Sequence, residues 1–136
     1  MVNSEVAGVA FTMNPITKAE DEIMIESNWG LGETVVSGKA TSDLYIVDKQ
    51  TSEVKNKTIA NKEDSYVQAE GGGGQWIKVD PSKVKVSTLT SEMVKELCRV
   101  AHIIEDHYGY PQDIEWAFEK GQLYILQARK ARASGE

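Results

Sequence analysis

The chain has 136 residues, 40% of them apolar and 26% charged, with a net charge of -6. That length suits a single domain, residues 1–136, able to bury about 65 to 70% of its unfolded surface. The acidic balance argues against a nucleic-acid surface that tracks phosphates, and no apolar run approaches the roughly 20 residues that span a membrane. Cys98 is the sole cysteine, which rules out an internal disulfide and fits a reducing cytoplasm.

Val6 to Thr12 is β-rich and stops at Asn14-Pro15. Thr17 to Asp21 is a charged turn, and Glu22 to Glu26 alternates as a second strand that ends toward Asn28-Trp29. Gly30-Leu31-Gly32-Glu33 follows. Its glycines either permit a tight turn or approach a phosphate, because the segment lacks both the Gly-Lys-Ser/Thr ending of a P-loop and the third glycine of a dinucleotide fingerprint.

Val35-Val36, Asp43 to Asp48 and Val54 to Ala60 read as further strands. Their connections are too short for parallel crossovers, so an antiparallel meander is expected. Ser65 to Gln68 and Gln75 to Val79 flank Gly71-Gly72-Gly73-Gly74, which reads as a mobile hairpin tip.

A long helix is expected from Thr90 to Tyr108, with Glu92 in its first turn and Gly109 and Pro111 ending it. Val94, Leu97, Cys98, Ala101, Ile104 and Tyr108 form its buried stripe. Cys98 is therefore a packing residue. His102 and His107 lie five residues apart, roughly 140° around the helix, and do not converge on one metal.

Asp113 to Arg129 alternates at period two with Lys120-Gly121 near its middle, the pattern of a β-hairpin. A two-residue loop pairs Phe118 with Leu123 and scatters polar groups over both faces. A three-residue loop of Glu119, Lys120 and Gly121 pairs Phe118 with Gln122, gathers the aromatics on one face and puts Asp113, Glu115, Gln127 and Arg129 on the other. The second register is expected, with Asp113 across from Gln127 and Glu115 diagonal to it. Such oxygens suit a hard cation such as Mg²⁺ or Mn²⁺, and an adjacent guanidinium suits a phosphate. The same pattern also describes a plain sheet with one solvated face.

Three blocks bear on that choice. Gly8-Val9-Ala10-Phe11-Thr12-Met13-Asn14-Pro15, Trp29 to Gly38 with its Gly-Leu-Gly-Glu core, and Gln112-Asp113-Ile114-Glu115-Trp116-Ala117 followed by Leu126-Gln127-Ala128-Arg129 occur in this order. Together they resemble the nucleotide-binding domain of phosphoenolpyruvate synthase and pyruvate phosphate dikinase, over nearly the whole chain, and the same blocks occur in rifampin phosphotransferases. The family usually has proline where this chain has Lys130.

The expected fold is α+β, an antiparallel sheet with one long helix packed on it. The resemblance implies the C-terminal subdomain of an ATP-grasp domain, with ATP and Mg²⁺ as cofactors. It implies Glu115 and Gln127 on the metal, and Arg129, Asp113 and, secondarily, Glu33 around the nucleotide. It further implies a parent phosphotransferase that converts ATP, pyruvate and water to AMP, phosphoenolpyruvate and phosphate through a phosphohistidine. The N-terminal ATP-grasp half, the phosphohistidine domain and the pyruvate-binding barrel are its expected partners, and this part alone is expected to be inactive. A noncatalytic nucleotide-binding module and a purely structural domain are the other readings.

Overall fold

The computed structural model describes residues 5–14, 17–30, 42–62, 64–68 and 73–131. Glu33, Val35 and Val36, and Gly71 and Gly72 of the glycine run, lie outside these residues. The architecture is α+β and antiparallel, as expected.

Strands β1 (Val6–Phe11), β2 (Glu22–Trp29), β3 (Asp43–Asp48), β4 (Val54–Thr58), β7 (Gln112–Glu119) and β8 (Gln122–Lys130) form one sheet in the order β4-β3-β2-β1-β7-β8. Every neighbouring pair is antiparallel. β5 (Asp64–Gln68) and β6 (Gly74–Lys78) make a separate hairpin, joined to the sheet by a Gly30–Tyr66 bridge and by Ser65 Oγ, which donates to the Trp29 carbonyl. β2 continues past the alternating Glu22 to Glu26 and ends at Trp29, as expected, because Ser27, Asn28 and Trp29 keep pairing with Gly8, Ala7 and Val6 of β1.

Helix α1 (Ser91–Tyr108) begins and ends where its sequence dictates. Thr90 Oγ1 accepts the Met93 N–H at 3.2 Å, satisfying one of the first-turn donors, and Gly109 closes the helix. Val94, Leu97, Cys98 and Ala101 are buried against Val6, Ala10, Ile23, Ile25, Tyr45, Val47, Ile114, Trp116 and Phe118. Burial pushes the Cys98 thiol up to about 11, so it stays protonated and inert. Ile104 packs partly, whereas Tyr108 is 48% exposed and stacks edge-on with His107, so the buried stripe stops one turn short of expectation.

β1 lies between β2 and β7 inside the sheet, and at Gly8 the β2 backbone comes close. A Cβ on Gly8 would stand 1.8 Å from the Glu26 carbonyl oxygen, so only glycine fits there. Thr12, at the end of β1, accepts the Gln112 N–H at 2.7 Å and donates to Glu105 Oε1 at 2.7 Å. That hydroxyl fixes the start of β7 one residue before Asp113, and Lys49 completes the tie by pairing with Glu105 at 2.7 Å.

Candidate metal and nucleotide site

The β7–β8 hairpin carries the candidate residues, and its register differs in its means from the expected one. The turn is the two-residue Lys120-Gly121, with φ of 52° and 79°, so Phe118 pairs with Leu123 and Glu119 with Gln122. Positive φ at both turn positions is the type I′ geometry whose twist matches a hairpin, and Lys120 accepts it although it is not glycine. Parity is restored farther along. A bulge between Glu115 and Trp116 leaves Leu126 as an extra residue, so Trp116 pairs with Ile125 but Glu115 with Gln127.

The consequence is that Glu115 lies directly across from Gln127, and Asp113 directly across from Arg129. Asp113 is therefore not opposite Gln127, as the three-residue loop would have placed it. Ile114, Trp116 and Phe118 are buried under the helix, so Asp113 and Glu115, alternating with them, face the other side of the sheet.

On that side the Arg129 guanidinium bridges the two carboxylates, with Nη2 at 3.1 Å from Glu115 Oε1 and Nε at 3.4 Å from Asp113 Oδ2. The carboxylate side chains are 23% and 21% exposed and that of Arg129 is 47% exposed. Asp113 Oδ1 is buried with no hydrogen-bond partner. Burial raises the Asp113 carboxyl above its ordinary value, and the Arg129 guanidinium opposes that rise.

Reading across the strands from Glu115, Val9 is its neighbour on β1 and Glu26 is Val9's neighbour on β2. Glu26 thus shares a face and a row with Glu115, two strand spacings or about 10 Å away. It is half-buried, and burial raises its carboxyl above the ordinary range. The alternation of Glu22 to Glu26 was a signal for it, but which strand lies beside β1 is not written in local pattern.

His102 and His107 lie away from this face. His102 Nε2 hydrogen-bonds the Lys49 carbonyl, and His107 packs on Tyr108. Among the described residues no group of three or more His, Cys, Asp or Glu side chains is placed to hold a metal ion. The donor set is nevertheless of one chemical kind. Glu115 offers carboxylate oxygen and Gln127 amide oxygen across the hairpin, with the Asp113 carboxylate beside them on Arg129. Such hard oxygens fit Mg²⁺, which keeps several waters and takes substrate phosphates, so two protein ligands suffice.

Comparison with known proteins agrees with the blocks in the sequence. Residues 1–136 match the family described as the pyruvate phosphate dikinase AMP/ATP-binding domain. A phosphoenolpyruvate synthase of Pyrococcus furiosus is 50% identical over 95% of this chain, and a probable phosphoenolpyruvate synthase of Methanocaldococcus jannaschii is 48% identical over 95% of it. A rifampicin phosphotransferase of Bacillus subtilis is 36% identical over 95% of the chain. The matches span 17%, 11% and 15% of those relatives' lengths, respectively. By the match along its whole length, the chain belongs to the pyruvate phosphate dikinase AMP/ATP-binding domain family.

Proposed function

We propose that this chain supplies the metal and phosphate side of a nucleotide cleft, as the C-terminal subdomain of an ATP-grasp fold in a phosphoenolpyruvate synthase-like dikinase. The observation that carries the reading is the hairpin register, which sets Glu115 against Gln127 and Asp113 against Arg129. Glu115 and Gln127 would hold Mg²⁺, which when bound neutralises phosphate charge and fixes the angle between the transferred group and its acceptor. Arg129 binds a phosphate oxygen through its planar fork of donors. Val9, 5% exposed between Glu115 and Glu26, keeps the floor between them apolar, which strengthens the charged contacts around it. Glu33, outside the described residues, remains a secondary candidate in this reading by the resemblance of its Gly-Leu-Gly-Glu segment.

In the parent enzyme, a first ATP-grasp half grips the nucleotide from the other side, a histidine domain takes the phosphoryl group, and a barrel delivers it to pyruvate, all in the cytoplasm. The relation to a rifampicin phosphotransferase favours a second version, in which the same nucleotide half serves a different acceptor. Acceptor choice then resides in another domain.

The test is Glu115→Gln, which keeps the side chain's shape and removes its charge. In the full-length enzyme it should cripple phosphoenzyme formation from radiolabelled ATP while the fold is retained. Undiminished phosphoenzyme would sink the metal-ligand assignment.

A further inference from the structure

We propose that Arg129 stands in for the cation until metal and nucleotide arrive, and that Asp113 is the pivot of the exchange, a positioning residue for Arg129 and not an oxygen ligand. The proposal rests on the reading of Glu115 and Gln127 as metal ligands and describes what their site does when empty. Arg129 holds its cross-hairpin neighbour Asp113 through Nε and reaches diagonally to Glu115 through Nη2. The two contacts use separate nitrogens of one rigid plane, so one can break while the other stays.

A dication between Glu115 and Gln127 needs Glu115 oxygen, and Oε1 is engaged by a positive group 3.1 Å away. The two cations repel and compete for one carboxylate. Metal entry therefore displaces Nη2 from Glu115. The freed Nη2 is already beside the site and turns to a phosphate oxygen, while Asp113 keeps hold of Nε. Asp113 is suited to the pivot because it lies directly across the hairpin from Arg129 with Oδ2 facing Nε, whereas Glu115 is only diagonal to it. Binding of metal with nucleotide thus trades one ion pair for two, whereas metal alone trades one for one and leaves Nη2 without its anionic partner.

This predicts opposite effects of one substitution on two ligands. In the full 136-residue chain, Mn²⁺ alone is titrated by paramagnetic broadening of the Gln127 side-chain amide, and a nonhydrolysable ATP analogue with Mg²⁺ by calorimetry. Arg129→Gln should tighten Mn²⁺ binding roughly two- to fivefold, the scale of a part-exposed ion pair, and weaken the nucleotide. Arg129→Lys keeps the charge but cannot span both carboxylates, so it should also tighten Mn²⁺ binding. Asp113→Asn should weaken the nucleotide while lowering Mn²⁺ affinity by less than half as much, on a logarithmic scale, as Glu115→Gln does. Mn²⁺ binding unchanged or weakened by Arg129→Gln, a gain confined to Gln and absent in Lys, or an Asp113→Asn loss equal to that of Glu115→Gln would each overturn the exchange. Failure of the underlying reading looks different: Glu115→Gln would then leave Mn²⁺ binding untouched. Circular dichroism of each variant confirms that a folded chain is compared.

Discussion

Lys62 and Asp43 form an ion pair of 2.7 Å in which neither side chain reaches solvent. Asp43 Oδ1 also accepts the Ala60 N–H, and Oδ2 accepts both the N–H and the hydroxyl of Thr88. Lys62 donates as well to the Ala60 carbonyl, and Thr88 shares a short hydrogen bond with Ser27. One carboxylate thereby ties β3, the segment after β4, β2 and the approach to α1.

Removing one member of such a pair leaves the other charge buried without compensation. Lys62→Met should therefore destabilise the fold by about 3 to 5 kcal/mol, read from urea unfolding. Asp43→Asn should cost a comparable amount, since it weakens five contacts, the fifth being the Tyr45 hydroxyl that donates to Oδ2 at 3.5 Å. A loss below about 1 kcal/mol for either would show that water reaches the pair.

Gly8→Ala places a methyl group 1.8 Å from the Glu26 carbonyl oxygen in the middle of the sheet, where no flexible side chain can yield. The cost should reach or exceed the top of the roughly 1 to 3 kcal/mol usual for overpacking. Because Glu26 and Glu115 are both cross-strand partners of Val9, the forced separation of β1 from β2 should also weaken nucleotide binding, measured alongside denaturation.

Glu26 supplies a test by pH. Its carboxyl is raised above the ordinary 4.5 by burial, so the folded state holds the proton more tightly than the unfolded one. Stability therefore falls as pH rises from that ordinary value through the raised one. Glu26→Gln should raise the thermal midpoint at neutral pH, and the gain should fade as the solution is acidified to about pH 4, where the native carboxyl is itself largely protonated. A gain independent of pH would assign the effect to packing.

Cys98 should be silent toward thiol reagents in the folded chain, given its burial and a thiol pushed up to about 11. Labelling should appear only with global unfolding, so its rate in increasing urea reports the opening of the helix–sheet core.

Much of this architecture was legible because local pattern and tertiary environment agree. Thr90 and Gly109 mark the ends of α1, β-rich stretches mark β1 and β3, and period-two alternation marks β2, β7 and β8. The hairpin shows where such reading stops. The demand that Trp116 and Phe118 be buried together fixed the faces of Asp113 and Glu115, but it could not tell a longer turn from a bulge. Both restore parity. The chain uses Leu126 because the Lys120-Gly121 turn is already closed, and no local signal separates an extra strand residue from an ordinary one. Asp43 and Lys62 were invisible as a pair for another reason. They meet through the placement of β3, β4 and the link to α1, and neither has a periodicity that announces burial.

The bulge also bears on how the chain behaves in company. Among the described residues β8 is an outermost strand, and Tyr124, Ile125 and Leu126 are each at least one-third exposed on it. An open row of amide and carbonyl groups beside apolar side chains is a template on which a foreign strand could grow a cross-chain ladder. With Leu126 in excess, two residues face one on β7, and the outer hydrogen-bonding row is kinked midway. A straight incoming strand can match that row on one side of the kink but not along its length, so the residue that aims Gln127 and Arg129 also spoils the edge as a seed for aggregation.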